Sequence, residues 1–211
     1  IPDKGNIITE DSKLSIDEDS TIYSKCKFLG ELEVWRGIEE GLNAVIVNPS
    51  VVLGPGFWEN KGVGLALKKI YKGFRFYTDG ITGFVDVRDV VNIVIKLMES
   101  EIKGERFIVS EGNYSFEEIL LMIIKEMGKI DIRLKANDFM LKSISIFEYI
   151  MWLLFKKTPT LTPENLKLAK QKNFYSNEKI KKVLNYNFIP INETIKFIVE
   201  KFINDYERLK K

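Results

Sequence analysis

The chain has 211 residues, no histidine and one cysteine, and its 32 basic side chains nearly balance 30 acidic ones. The absence of histidine excludes a Ser-His-Asp triad, a Cys-His pair and an imidazole metal site, and one cysteine excludes an internal disulfide and a thiolate zinc cluster. A net charge of +2 gives no argument for a nucleic-acid partner, and a hydrophobic fraction of 45% can bury a real core. We therefore expect no metal site and no nucleic-acid partner.

The first part of the chain alternates predicted helices and strands. Residues 1–20 are polar and turn-rich and predict a loop, whereas residues 21–41 carry apolar side chains at helical spacing. The β-branched run 43–48 predicts a strand that is buried on both faces. Pro49 and the Gly-Pro-Gly run at 54–56 predict a loop after it.

The middle of the chain continues this alternation. Ser115 and Glu118 form a capping-box pattern, which predicts a helix running from there to about Met127. The other predicted elements, in chain order, are a helix over 62–71, extended segments at 74–77 and 83–86, a helix over 87–99, and strands over 104–110 and 130–134. Alternating helices and strands are typical of a parallel α/β sheet.

The last third of the chain is predicted to be mainly helical, over residues 138–156, 163–171, 177–184 and 191–210. The apolar stretch 139–155 is short for a membrane span and is interpreted as a core or pocket helix, with a partner surface or membrane-interface helix as the alternative. The predicted fold class is therefore α/β, a parallel sheet followed by a helical appendage.

One pair of residues suggests chemistry. Tyr23 and Lys27 lie four residues apart in a predicted helix and so share a face. A neighbouring ammonium lowers a phenol's pKa, which makes the tyrosine an acid/base for a carbonyl or alcohol. Tyr175 and Lys179 repeat the spacing, and about one such pair is expected by chance. Only Tyr23 begins a helix that leads directly to a buried strand, which ends near Asn48.

Two other sets of side chains are interpreted as non-catalytic. Asp86, Arg88 and Asp89 are expected to cap the following helix and hold the neighbouring loop. Cys26 lies between two lysines but is interpreted as an incidental thiol.

The order of several motifs resembles one enzyme family. These motifs are Tyr23 with Lys27, LGELEVW at 29–35, NPSVVLGPG at 48–56, GFVDVRDVV at 83–91 and TPENLKLAK at 162–170. With them the chain resembles the extended short-chain dehydrogenase/reductase (NAD-dependent epimerase/dehydratase) family, and within it the dihydroflavonol-reductase-like members. The resemblance implies the C-terminal part of a Rossmann-like, doubly wound parallel sheet with a mainly helical substrate-binding subdomain.

The resemblance also implies roles for individual residues. Tyr23 matches the catalytic acid/base, and Lys27 matches the lysine that lowers its pKa and holds the nicotinamide ribose. The residues that match the loop lining the nicotinamide are Pro49, Ser50, Val51 and Val52. Substrate contacts are implied for Asn48, Phe57 and Trp58. The implied cofactor is NAD or NADP, and the implied substrate is a small carbonyl or alcohol compound.

Two parts of the family pattern are not found in the sequence. No glycine-rich phosphate loop occurs, and no convincing catalytic serine precedes Tyr23. Because residue 1 is also Ile rather than Met, we expect this chain to be the C-terminal two-thirds of such an enzyme and to be inactive by itself. The remainder of the dinucleotide-binding domain then comprises residues 1–55 and 78–112. The substrate-binding subdomain comprises residues 56–77 and 113–211.

The predicted function is NAD(P)-dependent oxidoreduction, with alternatives left open. Thr82 and Gly83 stand where members acting on nucleotide sugars usually carry Arg-Asp, which favours a reductase or dehydrogenase over an epimerase or dehydratase. A non-catalytic binding or regulatory module would also explain the missing serine and glycine loop. The single cysteine fits a reducing compartment, so we expect a cytoplasmic protein without membrane attachment. The resemblance suggests a homodimer through the helix 21–40.

Overall fold

The computed structural model describes residues 7–12, 21–56, 58, 62–130, 133–137, 140, 143 and 169–208. The predicted helix 138–156 lies outside these residues apart from Met140 and Ser143. Of the predicted helix 163–171 only the last three residues are described, and the first two of them form a turn.

Six helices lie in the described part of the chain, close to their predicted positions. They are α1 (Ile22–Glu39), α2 (Gly62–Tyr71), α3 (Val87–Met98), α4 (Phe116–Glu126), α5 (Glu178–Leu184) and α6 (Ile191–Arg208). Thr21 caps α1 by accepting the Ser24 N–H, and Ser115 and Glu118 form the predicted capping box of α4. These caps satisfy N–H groups that have no partner within the helix.

Nine short strands lie in the same part of the chain. They are β1 (Ile7–Ile8), β2 (Val45–Pro49), β3 (Val51–Leu53), β4 (Phe76–Tyr77), β5 (Ile81–Asp86), β6 (Glu105–Val109), β7 (Gly112–Ser115), β8 (Leu134–Lys135) and β9 (Phe174–Tyr175). The prediction of a loop throughout residues 1–20 was wrong at β1, and β3, β7 and β9 were not predicted. These strands have two to four residues, too few for an alternating pattern to show.

Parallel pairing dominates the sheets, as the α/β prediction requires. β2 runs parallel to β6, from Val45 opposite Glu105 to Pro49 opposite Val109. β5 lies between β3, to which it is parallel, and β7, to which it is antiparallel. The remaining pairs, β1 with β9 and β4 with β8, are parallel. Ser50 connects β2 to β3, and its N–H donates to the Val109 carbonyl (3.0 Å).

Two apolar clusters hold these elements together. The first joins β5 and the β2/β6 sheet to α3 and α5, and its buried residues are Val85, Ile93, Leu97, Phe107, Val109 and Ile180. The second joins α2, α4 and α6, with Phe202 at its centre: the Phe202 ring packs edge-on against Trp58 at 5.4 Å and Tyr71 at 5.7 Å between centroids. Edge-to-face contacts at such distances are favourable for aromatic rings.

Helix α1 differs from the other helices because none of its residues is buried. Its side chains Leu29 and Leu32 are 56% and 45% exposed. No helix within the described residues is long and apolar enough to cross a membrane.

Candidate active site

Tyr23 and Lys27 lie together in the first two turns of α1. The Lys27 Nζ is 5.7 Å from the centroid of the Tyr23 ring, within the range of a cation–π contact. Tyr23 is 72% exposed, so the pair stands on an open helix face. The helix cap at Thr21 fixes this first turn, because its side chain accepts the Ser24 N–H at 3.0 Å.

Glu31, two turns after Tyr23, ties α1 to the sheet. Its Oε2 accepts a hydrogen bond from Asn48 Nδ2 at 3.0 Å, and its Oε1 accepts from Arg106 Nη1 at 2.9 Å and from Trp35 Nε1 at 3.2 Å. Burial raises the pKa of Glu31, but these hydrogen bonds and the charge of Arg106 outweigh it, so the pKa is lowered overall. The carboxylate is therefore ionised at neutral pH and links α1 to Asn48 in β2 and to Arg106 at the start of β6.

A cavity of about 310 Å³ opens where β2 passes into β3. Of the residues predicted to contact cofactor or substrate, four line this cavity: Asn48, Pro49, Ser50 and Val51. The lining does not include Tyr23, Lys27, Val52 or Trp58. Trp58 lies in the apolar cluster, 6% exposed, and donates its Nε1–H to Asp205 Oδ2 at 2.9 Å. Phe57 lies outside the described residues. The roles predicted for Val52, Phe57 and Trp58 stay predictions.

Other lining residues were not singled out as site residues from the sequence. They are Ile8, Thr9, Ser12, Thr82, Arg106, Ile108 and Tyr175. Burial raises the pKa of Tyr175, and a hydrogen bond with Thr82 lowers it by less. Tyr175 and Lys179 repeat the Tyr-x-x-x-Lys spacing in the sequence. In the structure Lys179 lies in α5, and its ammonium donates to Glu105 and to the Arg106 carbonyl.

Gly83 closes the wall behind this cavity. A Cβ atom at this position would lie 2.5 Å from Ser110 Oγ, 2.8 Å from Ser50 Cβ and 2.9 Å from Tyr175 Cδ2. Such distances are shorter than atoms of a packed interior tolerate. The absence of a side chain at Gly83 therefore allows β5 to approach both Ser50 and Tyr175.

Two oxygens beside the cavity lack partners. Asn48 Oδ1 and Ser50 Oγ are buried side-chain atoms of the described structure that form no hydrogen bond. Most buried polar atoms in proteins are paired with protein or water. Both oxygens lie at the carboxyl end of a parallel strand, where ligands bind in open α/β sheets.

The first half of the chain matches a known protein family. A model of the "NAD dependent epimerase/dehydratase family" matches residues 1–110. The chain belongs to this family. The resemblance found in the sequence and the Rossmann-like α/β fold are both confirmed.

Individual members of the family are similar to this chain over part of their length. Sterol demethylase protein B of Methylococcus capsulatus is 27% identical over 154 residues, 72% of this chain and 47% of that protein. Tetraketide alpha-pyrone reductase 2 of Arabidopsis thaliana is 38% identical over 101 residues, 46% of this chain and 32% of that protein. The chain thus spans half or less of the length of these curated relatives.

A solved structure shows the same fold. The crystal structure of gox2253 is 26% identical, with a TM-score of 0.75 over 95% of this chain and 62% of that one. Members of the epimerase/dehydratase family and solved structures similar to this chain bind NAD or NADPH. The unpartnered oxygens of Asn48 and Ser50 fit this class of ligand, since they offer hydrogen bonds to a group bound beside the strand end.

Asp86 and Asp89 have structural roles in this family member. Asp86 caps α3 by accepting the Arg88 N–H at 2.8 Å, and its two oxygens also accept from the Arg88 guanidinium. Burial raises the pKa of Asp86, but the hydrogen bonds from Arg88 outweigh it and lower the pKa overall. Asp89 accepts from the Tyr186 hydroxyl at 2.9 Å and the Ile189 N–H at 3.0 Å. The capping interpretation is confirmed for Asp86.

Proposed function

We propose that this chain carries the catalytic helix and the substrate side of an NAD(P)-dependent oxidoreductase of the extended short-chain dehydrogenase/reductase type. The reaction is hydride transfer between nicotinamide and a carbonyl or alcohol substrate. The observation that carries the proposal is the pairing of Tyr23 and Lys27 on α1. The same helix is bonded through Glu31 to Asn48, beside the cavity at the strand end.

Tyr23 serves as the acid/base in this proposal. In the direction of reduction, its hydroxyl gives a proton to the carbonyl oxygen as the carbonyl carbon is reduced. The ammonium of Lys27 stabilises the resulting phenolate because the opposite charge is nearby. The nicotinamide, when bound, supplies the hydride. Lys27 would also hold the nicotinamide ribose, while Pro49, Ser50, Val51 and Val52 would line the ring.

The substrate side is proposed to take an uncharged carbonyl or alcohol compound. Arg106 is the one cationic side chain among the described cavity-lining residues, and its charge is already paired with Glu31. A phosphate-bearing substrate would find no other positive charge in this described lining. The similarity to a plant pyrone reductase supports a reductase as well.

Replacement of Tyr23 by Phe tests the proposal in the protein expressed from its complete coding sequence. NAD(P)H oxidation is followed with a panel of aromatic and aliphatic carbonyl compounds. The variant should lose turnover by about 10²- to 10⁴-fold, while NAD(P)H affinity stays within about twofold, since general acid catalysis supplies a factor of that size. Lys27→Met should also lose turnover, whereas Lys25→Met, which lies two residues earlier on another face of α1, should not. Unchanged turnover in Tyr23→Phe would refute the assignment.

The proposal also includes a division into two parts, a homodimer and a cytoplasmic location. The proposed division is a dinucleotide-binding part, residues 1–55 and 78–112, and a substrate-binding part, residues 56–77 and 113–211. Most members of each apolar cluster lie in one part, while Leu53, Phe84 and Ile180 pack across the boundary. The exposed apolar side chains of α1 support a homodimer through this helix. A cytoplasmic location agrees with the single, exposed Cys26. Light scattering at several protein concentrations tests the dimer, with Leu32→Glu as the dissociating variant.

A further inference from the structure

The side-chain amide of Asn48 has a fixed orientation. Its Nδ2 donates to Glu31 Oε2 at 3.0 Å. An ionised carboxylate has no hydrogen to donate, so the nitrogen of the amide, and not the oxygen, must face Glu31. The oxygen Oδ1 is therefore directed away from Glu31, and the amide cannot flip without losing this hydrogen bond. Glu31 itself is held by Arg106 and Trp35.

The fixed oxygen of Asn48 is a hydrogen-bond acceptor with no donor. Asn48 Oδ1 and Ser50 Oγ are both buried and unpartnered, and both residues line the 310 Å³ cavity. The amide oxygen can only accept a hydrogen bond, whereas the serine hydroxyl can donate or accept one. Together they match a group that has a donor and an acceptor side by side.

The surroundings of these oxygens do not favour an anion. The guanidinium of Arg106 is shared between the Glu31 carboxylate and the Glu10 carbonyl oxygen. A second carboxylate, that of Glu10, accepts the N–H of the lining residue Ile108 at 2.8 Å. An anionic ligand would therefore find no unpaired cation among the described lining residues, and the Glu31 and Glu10 carboxylates are bonded directly to two of them, Arg106 and Ile108.

We propose that Glu31 is a positioning residue that orients the Asn48 amide, so that the cavity selects a neutral group that donates to Asn48 Oδ1 and accepts from Ser50 Oγ. A primary carboxamide and a hydroxyl have both functions, while a carboxylate has no donor. The group comes either from the carboxamide of a nicotinamide cofactor or from a hydroxyl of the substrate. This choice of source rests on the proposed function, but the selectivity for a neutral donor does not require turnover.

Binding of two probe pairs, each a neutral compound and a carboxylate with the same aromatic ring, tests the selectivity on the whole 211-residue chain. The pairs are nicotinamide with nicotinate, and benzyl alcohol with benzoate, titrated while the ¹⁵N–¹H signals of the Asn48 side-chain amide are followed by NMR. At least one neutral probe should shift these signals and bind about tenfold tighter than its carboxylate partner, which corresponds to one good hydrogen bond. The pair that shows the preference identifies the source of the group.

Variants separate positioning from simple structural support. Glu31→Gln can donate as well as accept, so the Asn48 amide is free to reverse, and the tenfold preference should fall to about twofold or less. Glu33→Gln removes the same charge from the exposed side of α1, where Glu33 pairs with Arg36, and should keep the preference. Ser50→Ala, which removes only the hydroxyl, should weaken binding of the neutral probes.

The outcomes decide between the alternatives. Equal or tighter binding of the carboxylates, no saturable binding of either neutral probe, or an unchanged preference in Glu31→Gln would each overturn the proposal. If Glu31→Gln does not fold, an unchanged affinity in Ser50→Ala serves as the overturning result. An inactive protein with the expected selectivity would leave this inference intact and refute the proposed oxidoreductase alone.

Discussion

Substitution of Gly83 by Ala tests how β5 closes the wall of the cavity. The added Cβ would lie 2.5 Å from Ser110 Oγ, 2.8 Å from Ser50 Cβ and 2.9 Å from Tyr175 Cδ2. Because Gly83 is buried in the middle strand of a three-stranded sheet, the methyl group cannot turn toward solvent. Overpacking of this kind costs about 1–3 kcal/mol. We expect the upper part of that range, since three atoms from three different segments must move.

Gly30→Ala is a matched control, because we expect it to raise the stability rather than lower it. Gly30 lies inside α1, and a Cβ atom there would have no neighbour within 4 Å. Alanine is a better helix former than glycine by about 1 kcal/mol, so Gly30→Ala should stabilise the protein by up to about that amount.

Urea unfolding followed by circular dichroism measures both effects. Gly83→Ala should lower the midpoint and Gly30→Ala should raise it, with the same slope for both variants and the wild type. A loss of 2 kcal/mol corresponds to a drop of about 4–8 °C in melting temperature for a chain of this size. A Gly83→Ala protein as stable as the wild type would refute the packing described for this wall.

Three other substitutions test the capping, electrostatics and core packing. Ser115→Ala removes the capping box of α4 and should cost about 1 kcal/mol, with faster amide exchange in the first turn of that helix as the check. Burial raises the pKa of Asp86, but its hydrogen bonds from Arg88 outweigh this and lower the pKa overall. The Asp86 carboxylate therefore stabilises the folded protein at pH values above its ordinary pKa of 3.8, and this stabilisation is lost as the pH falls through the lower folded-state pKa. Urea midpoints between pH 6 and pH 2 should therefore fall less steeply in Asp86→Asn than in the wild type; equal slopes would contradict this. Phe202→Ala empties a fully buried site and should cost about 3–5 kcal/mol in the same urea assay; a much smaller loss would show that α6 packs differently.

The sequence by itself determined the six described helices, the longer strands β2, β5 and β6, and the family. The Ser115–Glu118 capping box acts within one helical turn, so it was predicted from neighbouring residues alone. The long helices and β2, β5 and β6 were likewise predicted from their apolar patterns. The motif around Tyr23 and the segments after it were sufficient to predict the family that the comparison confirms.

The two-residue strands and the cavity were decided only by the tertiary structure. β1 exists because it pairs with β9, more than 160 positions further along the chain, and no local pattern records such a partner. Glu31 likewise meets residues that are remote in sequence, since Asn48 and Arg106 lie 17 and 75 positions further along the chain and join it in one hydrogen-bond network. Glu31 looks like an ordinary helix-surface glutamate in the sequence. Its role follows from the folding of α1 onto β2 and β6, because hydrogen bonds depend on positions in space and not on spacing along the chain.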